Sequence, residues 1–325
     1  MPIRAAAMFV GAFLTLCSSF DDTAAQTYPS RPIKLVMPFG AGSASDSIAR
    51  IVAERLAVGL GQRILVENKA GAGGNIGTAE VAKAEPDGYT LVFAAPGPFV
   101  INKTLETLSY NPETDFEPIS LVGMLANVLV VNPKKIPVAD VGAFIAYVKQ
   151  RPGAISYSSV GKGSSQHLAA AYFDMVTGTR MLHVPYRSGT QIAVDLVSGD
   201  VPVSFQLIPN VAAHLATGDI KPLAVTTKAR SKSLPDVPTM AEQGVSNYES
   251  YAWFGLAAPK GTSAAILDRL HAELVKTIAD PAVQARLVEI GVEPTTTTRE
   301  ELKTFIASEI VKWRDIIQTA GIKGD

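Results

Sequence analysis

The chain has 325 residues, 47% hydrophobic and 18% charged, with a formal net charge of -1. That balance excludes a disordered or low-complexity chain, and with no basic stripe it excludes nucleic acid and an anionic membrane surface as partners. The length suits two domains of ordinary size or one large one.

The chain opens as a secretory signal would. Arg4 precedes an apolar run, Ala5–Leu16, that is too short to span a bilayer, and Thr23-Ala24-Ala25 is a small-residue cleavage site. Residues 1–25 are therefore expected to be a signal peptide, with a mature start near Gln26 and the periplasm as destination. The competing reading is a lipid anchor at Cys17, which the bulky Leu16 before it disfavours. The leader holds Arg4, Asp21 and Asp22, so its removal leaves 28 basic and 28 acidic residues. Cys17 is the only cysteine, so no disulfide and no thiolate chemistry is expected in the mature fold.

One unit then recurs: a short β-rich run, a Gly/Ser/Pro turn and a helical pattern. Ile33–Phe39 leads to Gly40–Ser45 and a helix through about Leu60, with Ile48, Ile51, Val52 and Leu56 on one apolar face. Arg63–Glu67 leads to Ala70–Gly74 and a helix to about Ala84. Tyr89–Ala95 leads to Pro96–Pro98 and a shorter helix. Ile155–Ser159 leads to Gly161–Ser165 and a helix to about Val176, with Leu168, Ala171, Tyr172 and Met175 as its apolar face and Gly178 as C-cap. Met181–Pro185 leads to Arg187–Thr190 and a helix ending at Gly199, and Val201–Leu207 to Pro209 and a helix ending at Gly218. Thr298–Glu301 reads as the capping box of a final helix whose buried stripe is Phe305, Ile306, Ile310, Trp313 and Ile317.

Strands alternating with helices imply an α/β fold of mostly parallel, doubly wound sheets, whose ligands sit beyond the carboxyl ends of the strands. Asn127–Asn132 and Tyr251–Ala258 read as two strands that cross between domains. They divide the mature chain into a discontinuous first domain, 26–126 with 252–325, and an inserted second domain, 127–251.

No motif of catalysis or metal binding stands out. There is no G-x-S-x-G elbow, and Ser165 and His167, two apart at a helix start, cannot easily form a nucleophile–base pair. The four histidines, 167, 183, 214 and 271, show no metal spacing. A secreted α/β hydrolase is thus the weaker alternative to a binding protein, and no cofactor or metal is expected.

Several segments together resemble the periplasmic receptors of tripartite tricarboxylate transporters, the TctC or Bug type: YPSRPIKLVMPF at 28–39, VENKAGAGGNIGTAEVAKAEPDGYTL at 66–91, NVLVVNP at 127–133, GKGSSQHLAA at 161–170, HVPYRSG at 183–189, PLAVTTKARSKSLPDVPTMAEQG at 222–244 and WFGLAAPKGT at 253–262. The resemblance implies a two-domain clamp of the type II periplasmic binding class, with mixed sheets and two crossovers. It also implies a small carboxylate bound in the interdomain cleft of a monomer, and docking of the closed form on a membrane permease. A sensory role without transport is the alternative use of the same clamp.

The resemblance also nominates the site. The turn after the first strand, Phe39 and Gly42 to Ser45 (Gly42, Ser43, Ala44, Ser45), cups one end of the ligand, with Ala44 replacing a usual Ser. Gly73, Gly74 and Asn75 border the cleft. In the third loop Gly97 and Pro98 are contacts, and Phe99 adds an apolar ring. Gly163, Ser164 and Ser165 hold a ligand carboxylate at a helix N-terminus, where amide N–H groups are free. His167, in the first turn of that helix, is a secondary candidate. Tyr186 lines the cleft and Arg187 stands at a familiar Lys position. Gln206 stands where amino-acid-binding members carry an Asp, which argues for a simple mono- or dicarboxylate without an ammonium group. If rings such as Phe39, Phe99 and Phe205 face the cleft, the ligand has an apolar body.

Overall fold

Ten strands form one continuous curled sheet, and the order of its strands explains where the cleft falls. The computed structural model describes residues 28–186, 189–319 and 321–322. The expected leader, Cys17 and Arg187 lie outside these residues.

The first lobe is built on β1 (Ile33–Met37), β2 (Ile64–Asn68) and β3 (Thr90–Ala94), with β2 and β3 both parallel to β1. Helix α1 (Ala44–Leu60) follows β1, and α2 (Asn75–Ala82) follows β2 through a 3₁₀ turn, Ala72–Gly74. After β3 comes one turn of π-helix, Gly97–Ile101, running into the short α3 (Asn102–Leu105). The second lobe repeats the scheme with α4 (Val141–Lys149), β5 (Ser156–Ser159), α5 (Ser165–Thr177), β6 (Leu182–Pro185), α6 (Gly189–Ser198), β7 (Val203–Leu207), α7 (Ile208–Thr217) and β8 (Lys221–Val225). There β5 is parallel to both β6 and β7.

Two strands join the lobes. The 16-residue β4 (Phe116–Val131) pairs with β9 (Tyr251–Pro259) over Phe116–Ala126, then with β7 and β8 over Asn127–Val131. Every pairing of β4 or β9 is antiparallel, including β3 with β9 and β10 (Val292–Pro294) with β4. The sheet is therefore mixed rather than mostly parallel, because the connecting strands run against the β–α units they join. The chain closes with α8 (Ala264–Ala279), α9 (Pro281–Glu289) and α10 (Arg299–Thr319). No helix among the described residues is long and apolar enough to cross a membrane.

Local chemistry sets the helix ends. Ser43 accepts from the Asp46 amide at 3.2 Å to start α1, and Gly61 ends it with φ 71°, a left-handed conformation that costs glycine little. Thr298 and Glu301 exchange side-chain bonds with each other's amides at 2.8 and 3.2 Å, completing the expected capping box. On α10 Ile306, Ile310, Trp313 and Ile317 are buried, while Phe305 is half-buried, edge-on to Trp253 at 5.5 Å. Helix α5 departs from its expected face. Ala169, Ala170 and Phe173 pack into the core of the second lobe, while Leu168 joins the core of the first. Ala171 and Met175 are only half-buried, and the Tyr172 ring sits between Tyr248 at 5.0 Å and Trp313 at 6.3 Å. Two small alanines let α5 approach its own sheet, and the bulkier stripe turns toward the neighbouring lobe.

Candidate ligand-binding site

The carboxyl ends of β1, β2, β3, β5, β6 and β7 open onto one cavity of about 620 Å³ between the lobes. A volume of this order holds a small organic molecule. Its floor includes Ala252 and Phe254 of β9, and Phe254 stacks on Phe93 with ring centroids 5.3 Å apart.

From the first lobe the turn Gly40–Ser45 and the start of α1 face the cavity. Phe39, Ser43, Ala44 and Ser45 line it, with the Ser43 and Ser45 hydroxyls 3.0 Å apart. Asp46 does not face the cavity. Its carboxylate accepts from Arg50 Nε at 3.0 Å, Asn68 Nδ2 at 2.9 Å and the Gly42 amide at 3.0 Å. Burial would push its acidity down, but these bonds hold the carboxyl below the usual carboxylate range. Asn68 also donates to the Phe39 carbonyl at 3.0 Å, so the Asp46–Asn68 pair holds the turn in shape. Gly42 serves that brace: it takes φ 75° and does not line the cavity.

Gly73, Gly74 and Gly97 line the cavity, and Gly73 and Gly97 sit where the lobes approach each other. A Cβ on Gly97 would lie 2.9 Å from the Gly73 carbonyl and 3.1 Å from that of Gly163 in the second lobe. Asn75, Pro98 and Phe99 do not line the cavity. Asn75 donates to Glu106 at 2.8 Å and accepts from Asn102 at 2.7 Å, and Pro98 accepts from the Tyr110 hydroxyl at 2.8 Å. Phe99 is fully buried 4.9 Å from the Phe116 ring, because the π-helical turn directs it into the core. Phe205 is likewise core, 5.4 Å from Phe173. Of the three rings considered from the sequence, Phe39 alone reaches the cavity.

From the second lobe the N-terminus of α5 faces the same space. Ser164 is its N-cap, accepting from the His167 amide at 3.3 Å and donating to the Gly161 carbonyl at 2.7 Å. Ser164 lines the cavity together with Ser165 and Gln166, the first two helical residues, whose amides have no acceptor within the helix. Gly163 and His167 lie behind this surface. The Gly163 amide donates to His167 Nδ1 at 3.2 Å, so the ring carries its proton on Nε2. Burial, then His183 and Lys162 nearby, push His167 down to about 3. It is a neutral structural imidazole. Tyr186 lines the cavity, with its hydroxyl given to Asp195 at 2.6 Å.

Gln206 is fully buried and does not line the cavity. Its Oε1 accepts from Gln166 Nε2 at 3.1 Å, the Leu207 amide at 2.9 Å and Asn210 Nδ2 at 2.9 Å. Sequence reasoning overlooked Gln166, Asn210, Lys162, Glu106 and Phe254, all of which line the cavity. The signal for Asn210 was present: like Ser165 it lies in the first turn of a helix that follows a strand's carboxyl end. Among the described residues no group of three His, Cys, Asp or Glu side chains could hold a metal ion.

The comparisons agree with this architecture. The model of the family described as "Tripartite tricarboxylate transporter family receptor" matches residues 48–322. Protein BugT of Bordetella pertussis is 35% identical over 97% of this chain and 97% of its own length. A solved structure, "R. palustris Rpa4515 with adipate", superposes with a TM-score of 0.87 at 35% identity, covering 92% of this chain and all of that one, 100%. MatC from Rhodopseudomonas palustris, solved with bound malate, gives 0.84 at 29% identity over 89% of this chain and 100% of its own. Family match, full-length relatives and a shared two-lobed clamp converge, and the chain belongs to the tripartite tricarboxylate transporter receptor family.

Proposed function

We propose that the protein is a monomeric periplasmic receptor that binds a small carboxylate, with a dicarboxylate as the preferred class, and delivers it to the permease of a tripartite transporter. The lobes 26–126 with 252–325 and 127–251 are the two jaws. The observation that carries this reading is the pair of helix N-termini, α1 and α5, facing one cavity from opposite lobes. The α5 end offers the Ser165 and Gln166 amides, the α1 end the Ser43 and Ser45 hydroxyls, and both the positive end of a helix dipole, to an anion. Two such ends facing each other suit a molecule with a carboxylate at each end, as adipate and malate have in the two relatives. Phe39 and Phe254 supply apolar wall between them.

An ammonium group would find little here. Glu106 is the carboxylate among the described lining residues, and it already accepts from Asn75. The test is a thermal-shift panel. Adipate, malate and related simple acids should raise the melting midpoint, since ligand that binds only the native state stabilises it. Aspartate, glutamate and neutral sugars should not. Stabilisation by glutamate with none by any simple acid would overturn the reading.

A further inference from the structure

Asn210 bridges the two lobes at the cavity wall. Its Oδ1 accepts from the Ala44 amide at 3.1 Å, across 166 positions of sequence. Ala44 is the first residue of α1 in the first lobe, and Asn210 lies in the first turn of α7 in the second. The other end of the carboxamide, Nδ2, donates to the buried Gln206 Oε1, which also holds Gln166 at the start of α5. One chain of amides thus runs from the α1 terminus through Asn210 and Gln206 to the α5 terminus. Asn210 is further confined by Gly189, where a Cβ would lie 2.9 Å from Nδ2.

We propose that Asn210 is the latch of the clamp: its bond to the Ala44 amide holds the lobes together and sets the α1 and α5 termini at a fixed separation for the ligand. Asn suits the task because it both accepts and donates. The acceptor meets the helix terminus of one lobe while the donor anchors the side chain in the other. A Ser at 210 is too short to span both partners, and an Asp has no proton for Gln206. Gln206 Oε1 in turn gathers three donors, from Gln166, Leu207 and Asn210, and so fixes the Asn210 carboxamide within the second lobe. Because only the closed form brings the ligand's two ends to both termini, the latch raises affinity by raising the population of that form.

The inference rests on the clamp reading above, but its first readout requires no ligand. Asn210→Ala removes the acceptor. Ala44→Pro removes the donor, at a helix position where proline's fixed φ and missing N–H are tolerated. Small-angle scattering of the unliganded proteins should show a larger radius of gyration for each variant than for wild type. The double variant should open no further than either single one, as expected when two changes break one interaction. With adipate or malate as probe, whichever shifts the wild-type midpoint, each variant should bind about fivefold more weakly, the scale of one hydrogen bond. An unliganded scattering curve unchanged by Asn210→Ala, or effects of the two substitutions that add, would overturn the latch. A panel in which no acid binds, with the scattering result intact, would overturn the ligand class and leave the latch standing.

Discussion

The imidazoles of His167 and His183 lie with ring centroids 4.2 Å apart beneath the loop that leads into α5. His167 holds that loop through the Gly163 amide, and His183 Nε2 meets the Ser159 hydroxyl at 2.6 Å. Ser159 in turn donates to the Gly161 carbonyl at 3.0 Å and accepts from its amide at 3.1 Å. The cavity surface at Gly161–Ser165 therefore rests on two neutral rings.

Acid should release that support. Burial, then Lys162, push His183 down to about 4, and His167 falls to about 3. Both lie below the unfolded value of about 6.5. Between those values the unfolded chain binds more protons than the folded one, so stability falls as pH drops. The melting midpoint should be flat above about pH 7 and decline from roughly 6.5 to 4.5. His183→Gln, which keeps a donor for Ser159, should flatten that decline. A wild-type midpoint constant over the interval would refute the account.

The serine pair should separate into two roles. Ser165→Ala removes a hydroxyl from the cavity wall but leaves the Ser164 cap, so affinity should fall about tenfold, the scale of a charge-assisted bond, with little change in stability. Ser164→Ala removes the cap and should cost roughly 0.5–2 kcal/mol of stability. Calorimetric titration and denaturant melts on both variants check the split, which fails if Ser165→Ala leaves affinity untouched.

The aromatic rings divide the same way. Phe39→Ala should weaken an apolar acid such as adipate by roughly 1–3 kcal/mol, the scale of burying a Phe side chain. Phe99→Ala should instead destabilise the fold by about 3–5 kcal/mol, as a core cavity does. Adipate affinity measured below the melting range distinguishes wall from core. Equal affinity for wild type and Phe39→Ala would remove Phe39 from the site.

Gly97→Ala should act as a wedge. The new methyl would press on carbonyls of Gly73 and Gly163, one from each lobe. Affinity for the acids that bind wild type should fall at least about tenfold, on the scale of 1.4 kcal/mol lost from the closed form, with secondary structure unchanged by circular dichroism. Wild-type affinity in Gly97→Ala would mean that the loops have slack.

Much of the fold was legible because its signals are local. Gly turns, the Gly178 C-cap and the Thr298–Glu301 box act within a few residues, and each appears where the sequence places it; the cap of α1 is Ser43, two residues before the Ser45 start read from the sequence. The first half of β4 was not legible. Pro118, Ser120 and Gly123 interrupt its apolar pattern, and its register shifts between Pro118 and Ser120 and again between Leu121 and Gly123. Bulges of this kind break the two-residue alternation by which strands are recognised. For the candidate site, helix-start residues such as Ser45 and Ser165 could be picked from motifs. Phe254 could not, because its exposure to the cavity depends on how β9 lies under two lobes. Whether Phe99 and Phe205 face cleft or core was open in the sequence, because proximity to a turn does not say which way a ring points.

The long strand β4 also acts as a phase reference between the two halves of the molecule. Ala126, Val128 and Val130 face one core of the second lobe, and Leu129 and Val131 face the other. That alternation runs on from Gly123–Ala126, where the register with β9 is regular. Deleting one residue at Ala126 or Asn127 would turn Val128–Val131 to the opposite faces of the sheet relative to the first lobe. An odd change of length at this junction therefore has to be absorbed by a bulge, as the strand already does at Pro118–Ser120 and Leu121–Gly123, whereas one in a surface loop does not.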